Sequence, residues 1–478
     1  MLGFIEKIVI CTVLTFTINL GLFGQESWNL EKCVKTAIEN NLSIKASQIS
    51  LAQSEISRKQ AQASRLPSLN IGTGISWNFG RSIDPTTNAF LTETFVSNNF
   101  SLNSGVVLYD GMRINNTIRQ AKSEEAAAQF DIQQAIRDIS LNVATVYLNV
   151  LFAEENLNVA ENQLKLSKQQ LELISKLISS GARPENERYD IEAQVALDEQ
   201  QLVIRRNAYE LALLQLKQIM LVDPDLPIRV IKPSDIQLDT DPELITNKEI
   251  YTAALGTQEN IKAAEMRLIG ADYGMKVAKA GYMPTVSLGM SLGTNYSNRF
   301  RKIDGFQTVR INQTAYINEM PLNIGFDQEV PILIEKPYFN QLTDNLFYGF
   351  GFQVRIPIYN NYQNAGNVQR AKLNLMAAEN NLNLQKLNLR VNITQALADA
   401  KAAKKALDAA NKSALATKQS YENATKRYEF GSVNSYDLAN VKLRYDNALL
   451  SALVAKYDYI FRVKVLDFYL GKPLKFSN

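Results

Sequence analysis

The side chains that could carry chemistry are few. Histidine is absent from the 478 residues. That removes the commonest general base, the commonest transition-metal ligand and every Ser-His or Cys-His nucleophile arrangement. The two cysteines, Cys11 and Cys33, form neither a CxxC nor a cluster, so structural zinc and iron–sulfur sites are not expected. Gly72-x-Gly74 and Gly349-x-Gly351 lie inside alternating segments not directly followed by a helix, unlike phosphate-cradling loops. Acid pairs along the helix-forming stretches fall at positions expected in solvent. Asn434-x-x-Asp437 resembles a capping box, and a carboxylate there is favourable by roughly 0.3–1 kcal/mol. The tyrosines at 421, 428, 436 and 445 recur near helical spacing and read as packing. This inventory predicts no enzyme, no cofactor and no metal site.

Lys+Arg is 51 and Asp+Glu is 48, a net charge of +3, so nothing points to nucleic acid as a partner. Lys7 precedes an apolar run, Ile8 to Phe23, that ends at Gly24-Gln25-Glu26. Residues 1–24 read as a secretory signal peptide. The alternative, a transmembrane anchor, needs roughly 20 apolar residues, and this run is shorter and carries Asn19. Cleavage leaves Cys33 as the only cysteine, which precludes an intramolecular disulfide. No other segment is expected to be a transmembrane helix.

The elements must be sought in a repeat. Ile44–Ser76 lies over Ile261–Gly293 without a gap, with nine of 33 positions identical, including Ile44/Ile261, Pro67/Pro284 and Gly72/Gly289. Further on, Gly181 matches Gly431, and Tyr189-Asp190 matches Tyr436-Asp437 after three extra residues in the first copy. The chain is expected to hold two copies of one unit, 25–225 and 248–478, joined by an extended linker over 226–247. Each copy runs helix, strand, strand, very long helix, tight turn, helix.

Met112–Ser180 and Asn367–Phe430 contain no Gly and no Pro and are rich in helix formers. Each predicts a helix of roughly 100 Å. The partners Glu185–Asp223 and Ser432–Leu470 are also free of both. Apolar residues recur three and four apart, or at their sum, as in Leu164, Leu171, Ile174, Ile178, which argues for side-by-side, coiled-coil-like packing or a plain bundle.

Four segments alternate with period two: about 67–79, 100–110, 284–296 and 346–358. Each has one apolar face and one small or polar face, with Thr73 and Thr294 as exceptions. A soluble sheet and a transmembrane barrel both give this pattern. The lengths suit the roughly 9–11 residues that cross an outer membrane at a tilt. Trp77, Phe79, Tyr296, Phe300 and Phe347 fall near the hairpin ends, where an aromatic girdle belongs. The small face suits a lumen, and no helix remains to cover the apolar face, so the barrel is favoured. Bacterial barrels have at least 8 strands. Four must therefore be completed by other subunits, and three copies would supply 12. The connections Gly80–Asn99 and Ser297–Asn345 are expected to be extracellular loops.

With this order in place, the chain resembles the TolC family of outer-membrane efflux ducts. The likeness covers essentially the whole mature chain. It rests on the repeat, on Trp28-x-Leu30-x3-Val34-x2-Ala37-Ile38-x2-Asn41 and on the tip from Tyr428 to Leu438, Tyr-Glu-Phe-Gly-Ser-Val-Asn-Ser-Tyr-Asp-Leu. The resemblance implies an α+β membrane protein, a homotrimer with a 12-stranded barrel continuous with an α-helical tunnel in the periplasm. It also implies a passive exit duct for small molecules or proteins. Its partners would be outer-membrane lipid, a periplasmic adaptor and an inner-membrane transporter. The adaptor would dock at the helix tips Ser180, Gly181, Ala182 and Phe430, Gly431, Ser432. The periplasmic gate would fall on Tyr428, Asp437, Asp190 and Asn440, with a Tyr428···Asp190 latch and a ring of Asp437 carboxylates. Asn440 stands where a second acid is usual and Val433 where an arginine is usual, so Arg183 or Arg188 would supply the cation. The competing reading is a periplasmic coiled-coil adaptor or structural protein that never enters a membrane.

Overall fold

The structure, a computed structural model, describes residues 26–83, 88, 90–92, 94–232, 240–317 and 320–472. The expected signal peptide lies outside them. The first half runs β1 (Glu26–Trp28), α1 (Leu30–Asn40), α2 (Leu42–Ala63), β2 (Ser68–Asn78), β3 (Ser82–Ile83), β4 (Phe90–Leu91), β5 (Phe95–Tyr109), α3 (Arg113–Ser179), α4 (Asn186–Met220) and β6 (Ile228–Val230). The second runs α5 (Asn247–Thr257), α6 (Glu259–Ala280), β7 (Thr285–Ser297), β8 (Arg301–Ile317), β9 (Met320–Glu335), α7 (Tyr338–Asp344), β10 (Phe347–Arg355), α8 (Gln363–Glu429) and α9 (Ser435–Tyr469).

The repeat is visible in element lengths. α1 and α5 have 11 residues each, α2 and α6 have 22, α3 and α8 have 67, and α4 and α9 have 35. Several helices start on side-chain caps. Asn29 accepts from the Lys32 amide at 2.9 Å, Asp110 from Ile114 at 2.9 Å and Asn434 from Asp437 at 2.8 Å. Thr246 and Glu249 form a complete capping box.

The chain divides into two compact units, and each repeat contributes to both. One unit comprises the described residues of 1–54, 124–268 and 377–478. Its main core gathers Trp28, Cys33, Tyr147, Leu151, Leu216 and Met220. β1 pairs in parallel with β6, so part of the expected linker is a strand. The Tyr147 hydroxyl donates to the Ile231 carbonyl at 2.6 Å and fastens that strand to α3. A second core collects Ile250, Ile261, Ile393, Leu397 and Leu466. α3 also contains a stretch long and apolar enough to cross a membrane, contrary to the expectation above. Val143, Ala144, Leu148 and Val150 of this helix are buried in the core, although only 33% of the apolar stretch is buried.

The other unit comprises 55–123 and 269–376 and holds an antiparallel sheet in the order β10-β7-β5-β2. It also holds three elements in the stretch expected to be a loop. β8 and β9 pair along their length into a separate two-stranded ribbon, and α7 lies against β7. β5 begins at Phe95 and so also takes up part of the other expected loop.

Cys33 is fully buried, and burial pushes its thiol up to about 12. A maleimide at pH 7.5 should leave the native protein unlabelled and modify Cys33 fully in denaturant. Mass spectrometry reads both states, and labelling of the native chain would contradict this core.

Candidate functional site

Two features can act on something outside the chain: the sheet in one unit and the helix tips in the other. Each is described by itself.

The sheet register sorts its residues into two faces. Asn70 pairs with Asn103, Asn103 with Ser291, and Ser291 with Gly349, giving one row of small polar residues across all four strands. The neighbouring row is Ser68, Gly105, Gly289 and Gly351. The only charge on this face is Arg355, at the end of β10. Phe347 also belongs to this face, paired with Gly293, which corrects its assignment to an outer girdle. A Cβ on Gly293 would stand 2.4 Å from the Phe347 ring, so the glycine is what lets the ring lie there.

The opposite face is apolar and bare. Leu69, Ile71 and Leu102 continue into Leu292 and Tyr348, while Met290 pairs with Phe350. Ile71 is 81% exposed, Tyr348 83% and Phe350 76%. From Val286 to Tyr296 the face runs roughly 34 Å along the strand, or roughly 25 Å of height at an ordinary barrel tilt.

α7 closes this belt at one end. The Tyr338 hydroxyl donates to Asn98 Oδ1 at 2.7 Å, and its ring lies 4.7 Å from that of Tyr296. Thr294 Oγ1 donates to the Leu342 carbonyl at 2.6 Å, and Asn98 Nδ2 donates to the Gly74 carbonyl at 2.9 Å and Thr73 Oγ1 at 3.4 Å. Buried Gln341 exchanges two hydrogen bonds of 3.0 Å with the backbone of Ser297. The two breaks in the alternation, Thr73 and Thr294, thus fall in a polar patch that includes this helix.

At the tips, α3 meets α4 and α8 meets α9 through tight turns. Gly181 has φ +75° and Gly431 φ +72°, with space around each, so backbone conformation alone calls for glycine. Gly181 donates to Ile178 and Ala182 to Leu177, while Gly431 donates to Tyr428 and Ser432 to Arg427, the paired bonds of a Schellman cap. Ser180, Gly181, Ala182, Phe430, Gly431 and Ser432 are all exposed, Phe430 at 84%.

Just inside the turns, Tyr428 is buried with Ile174, Ile191 and Leu438. Its hydroxyl donates to Glu187 Oε2 at 3.0 Å, so its acceptor is Glu187, not the expected Asp190. Arg183 is the cation beside Tyr428. Its guanidinium lies 4.7 Å from the ring centroid of Tyr428, donates to the Tyr428 carbonyl at 2.8 Å and pairs with Glu187 at 3.3 Å. Arg188 is engaged elsewhere, with Glu185 at 3.3 Å and Glu192 at 3.4 Å. Burial, and then the bond to Glu187, push the Tyr428 phenol up to about 12. Asp437 sits exposed in the first turn of α9, its amide capped by Asn434. Asp190 is exposed and Asn440 half-buried. Glu187 was not singled out from the sequence, although Arg183 and Glu187 stand four apart, the spacing of helical neighbours.

The family profile described as outer membrane efflux protein matches residues 33–220 and 250–472. The chain belongs to the outer membrane efflux protein family. It is therefore an efflux channel of the outer membrane, and the periplasmic-adaptor alternative is not favoured. The sequence matches no curated protein. Solved outer-membrane efflux proteins share the fold. The chain superposes on CusC with a TM-score of 0.75 at 17% identity, covering 93% of this chain and 92% of CusC. For VceC of Vibrio cholerae the values are 0.74, 17%, 93% and 97%. For the CmeC outer membrane channel of Campylobacter jejuni they are 0.70, 20%, 92% and 85%.

Tyr428→Phe removes a bond to a charged group and should loosen the efflux protein's tip by about 1.5–3 kcal/mol. Hydrogen exchange of the tip amides reads this, and a double-mutant cycle with Glu187→Gln should show coupling between the two. Since the latched phenol holds its proton to about 12 against an ordinary value of about 10, the latch should be whole below pH 10 and fade between pH 10 and 12.

Proposed function

We propose that three copies of the chain complete one exit duct. Their sheets close a 12-stranded barrel, and their long helices close a tunnel in the periplasm. The observation that carries this is the four-stranded sheet itself, with β2 and β10 as open edges and a bare apolar face. A sheet in hydrocarbon must close, and four strands are half of the smallest bacterial barrel. The small face then lines the lumen and the apolar face meets lipid.

The tips are the gate and the docking surface. The turn residues Ser180, Gly181, Ala182, Phe430, Gly431 and Ser432 receive a periplasmic adaptor, which couples the duct to an inner-membrane transporter. Arg183, Glu187 and Tyr428 latch the two helical hairpins of one copy together. Asp437 contributes one carboxylate per copy to a ring that attracts cations, with Asp190 and Asn440 beside it. Cargo passes without chemistry.

Electron microscopy of the detergent-extracted protein tests the assembly. The expected particle is a hollow three-fold cylinder at least about as long as the ~100 Å helices. A monomer, or a particle that needs no detergent, would overturn the duct.

A further inference from the structure

The ribbon β8–β9 is unaccounted for by a duct. Its register runs from Arg301↔Glu335 to Ile317↔Met320 with no third strand in its sheet. A two-stranded ribbon alone in water is marginal at best. This one is also amphipathic. Ile311 pairs with Phe326 and Ala315 with Leu322, and Ile324 and Ile332 share their face. Leu322, Ile324, Phe326 and Ile332 are all exposed. The ribbon therefore presents two open edges and one apolar face.

Its charges choose the occupant. β8 carries Arg301, Lys302 and Arg310 against one acid, Asp304. β9 carries Asp327, Glu329 and Glu335 and no cation. Within the ribbon Lys302 pairs with Asp304 at 3.6 Å and Arg310 with Asp327 at 4.0 Å, both largely exposed, which neutralises little and leaves Arg301 as a cation on β8 and Glu329 and Glu335 as acids on β9. One edge is basic and the other acidic. In a ring of identical copies the β8 edge of each meets the β9 edge of the next, so unlike charges always face one another and the strands run antiparallel. Pro321 and Pro331 lack a backbone N–H, which centres such pairing on the stretch between them. A register shift between Ile303 and Gly305 puts a bulge near the ribbon's root, a device that bends a strand.

We propose that the ribbon's partner is a second copy of this chain, and that three ribbons pair edge to edge into a six-stranded collar with the apolar faces turned inward. Eight strands give an interior just wide enough for side chains to fill. Six leave no lumen, so the collar closes the extracellular mouth of the duct. This rests on the trimer proposed above.

The test starts from the size of the wild-type particle in detergent. A monomer there overturns the trimer, and the collar with it. With the trimer in hand, chains bearing Thr308→Cys and chains bearing Glu329→Cys are co-expressed and treated with a short bis-maleimide. Both residues lie on the polar face, and Cys33 is buried. The expected result is a cross-linked dimer in denaturing gels only when both variants share a trimer. A trimer without that cross-link overturns the collar and leaves the duct standing. For closure, planar-bilayer conductance is compared between wild type and a chain in which 301–335 is replaced by a short Gly-Ser turn. The expected change is a roughly tenfold rise, since an apolar constriction blocks by excluding water. Ile311→Lys with Phe326→Lys serves if the shortened chain does not assemble. Unchanged conductance in an assembled variant overturns the closure.

Discussion

Hydrocarbon offers no partner to a backbone N–H or C=O, so a sheet that crosses a membrane can have no open edge. Among the described residues, β2 and β10 each leave one side of their ladder unpaired. Their outward side chains are too apolar to face water as a single surface. In the duct proposed above, both needs are met at once by other copies continuing the sheet around an axis. The choice of Gly, Ser and Asn on the inner face follows. A closed sheet of 12 strands has room inside, and small uncharged side chains keep that room open to water and solute.

Much of this was legible in the sequence because two periods are clean. Alternation in Ser68–Asn78 and Thr285–Ser297 placed those strands to within a residue or two. The absence of Gly and Pro from Arg113–Ser179 marked α3. α8 begins four residues earlier than its Gly-free run because Gly366 falls in its first turn, whose start Asn360 caps by accepting from Asn364 at 3.3 Å. What was missed depends on contacts between residues far apart in the chain. Tyr338 and Asn98 are 240 residues apart, and Tyr428 and Glu187 are 241 apart. A resemblance supplied Tyr428, but its acceptor depends on how two helical hairpins pack. The ribbon was passed over because Gln307, Gln313 and Gln328 interrupt the apolar side of an otherwise alternating pair.

The long helices carry a polar layer that an ordinary coiled-coil seam lacks. Lys442 is buried 3.4 Å from Asp198 and 3.2 Å from Asp446. The Ser167 hydroxyl donates to Asp198, and Gln194 Nε2 does so at 2.9 Å. Burial pushes the Asp446 carboxyl up, against the pull of Lys442. The layer draws on α3, α4 and α9. Sliding α4 or α9 by a turn would part Asp198 from Lys442 and strand a buried charge, at about 3–5 kcal/mol, and sliding α3 would remove the Ser167 bond to Asp198. Apolar neighbours such as Ile174 and Leu438 carry no such penalty, because one apolar contact replaces another. The layer therefore sets the register from which the tips begin.

The latch beyond that layer is weak by comparison, which suits the gate proposed above. One bond from a phenol to a carboxylate is worth about 1.5–3 kcal/mol, so in the proposed trimer three copies acting together would hold a closed state by roughly 5–9 kcal/mol. A partner opens such a gate only by binding the open form more tightly by a similar amount, near 10⁴-fold for 5.5 kcal/mol. The tip residues are placed for that coupling. Ala182 precedes Arg183 directly, and Phe430 follows Tyr428 by two, so a partner seated on the turns bears on the backbone that positions the latch. Replacing Glu187 and Tyr428 by a tighter apolar contact would make the tip more stable and the partner's task harder. The polar latch fits a tip that must open while the register behind it stays fixed.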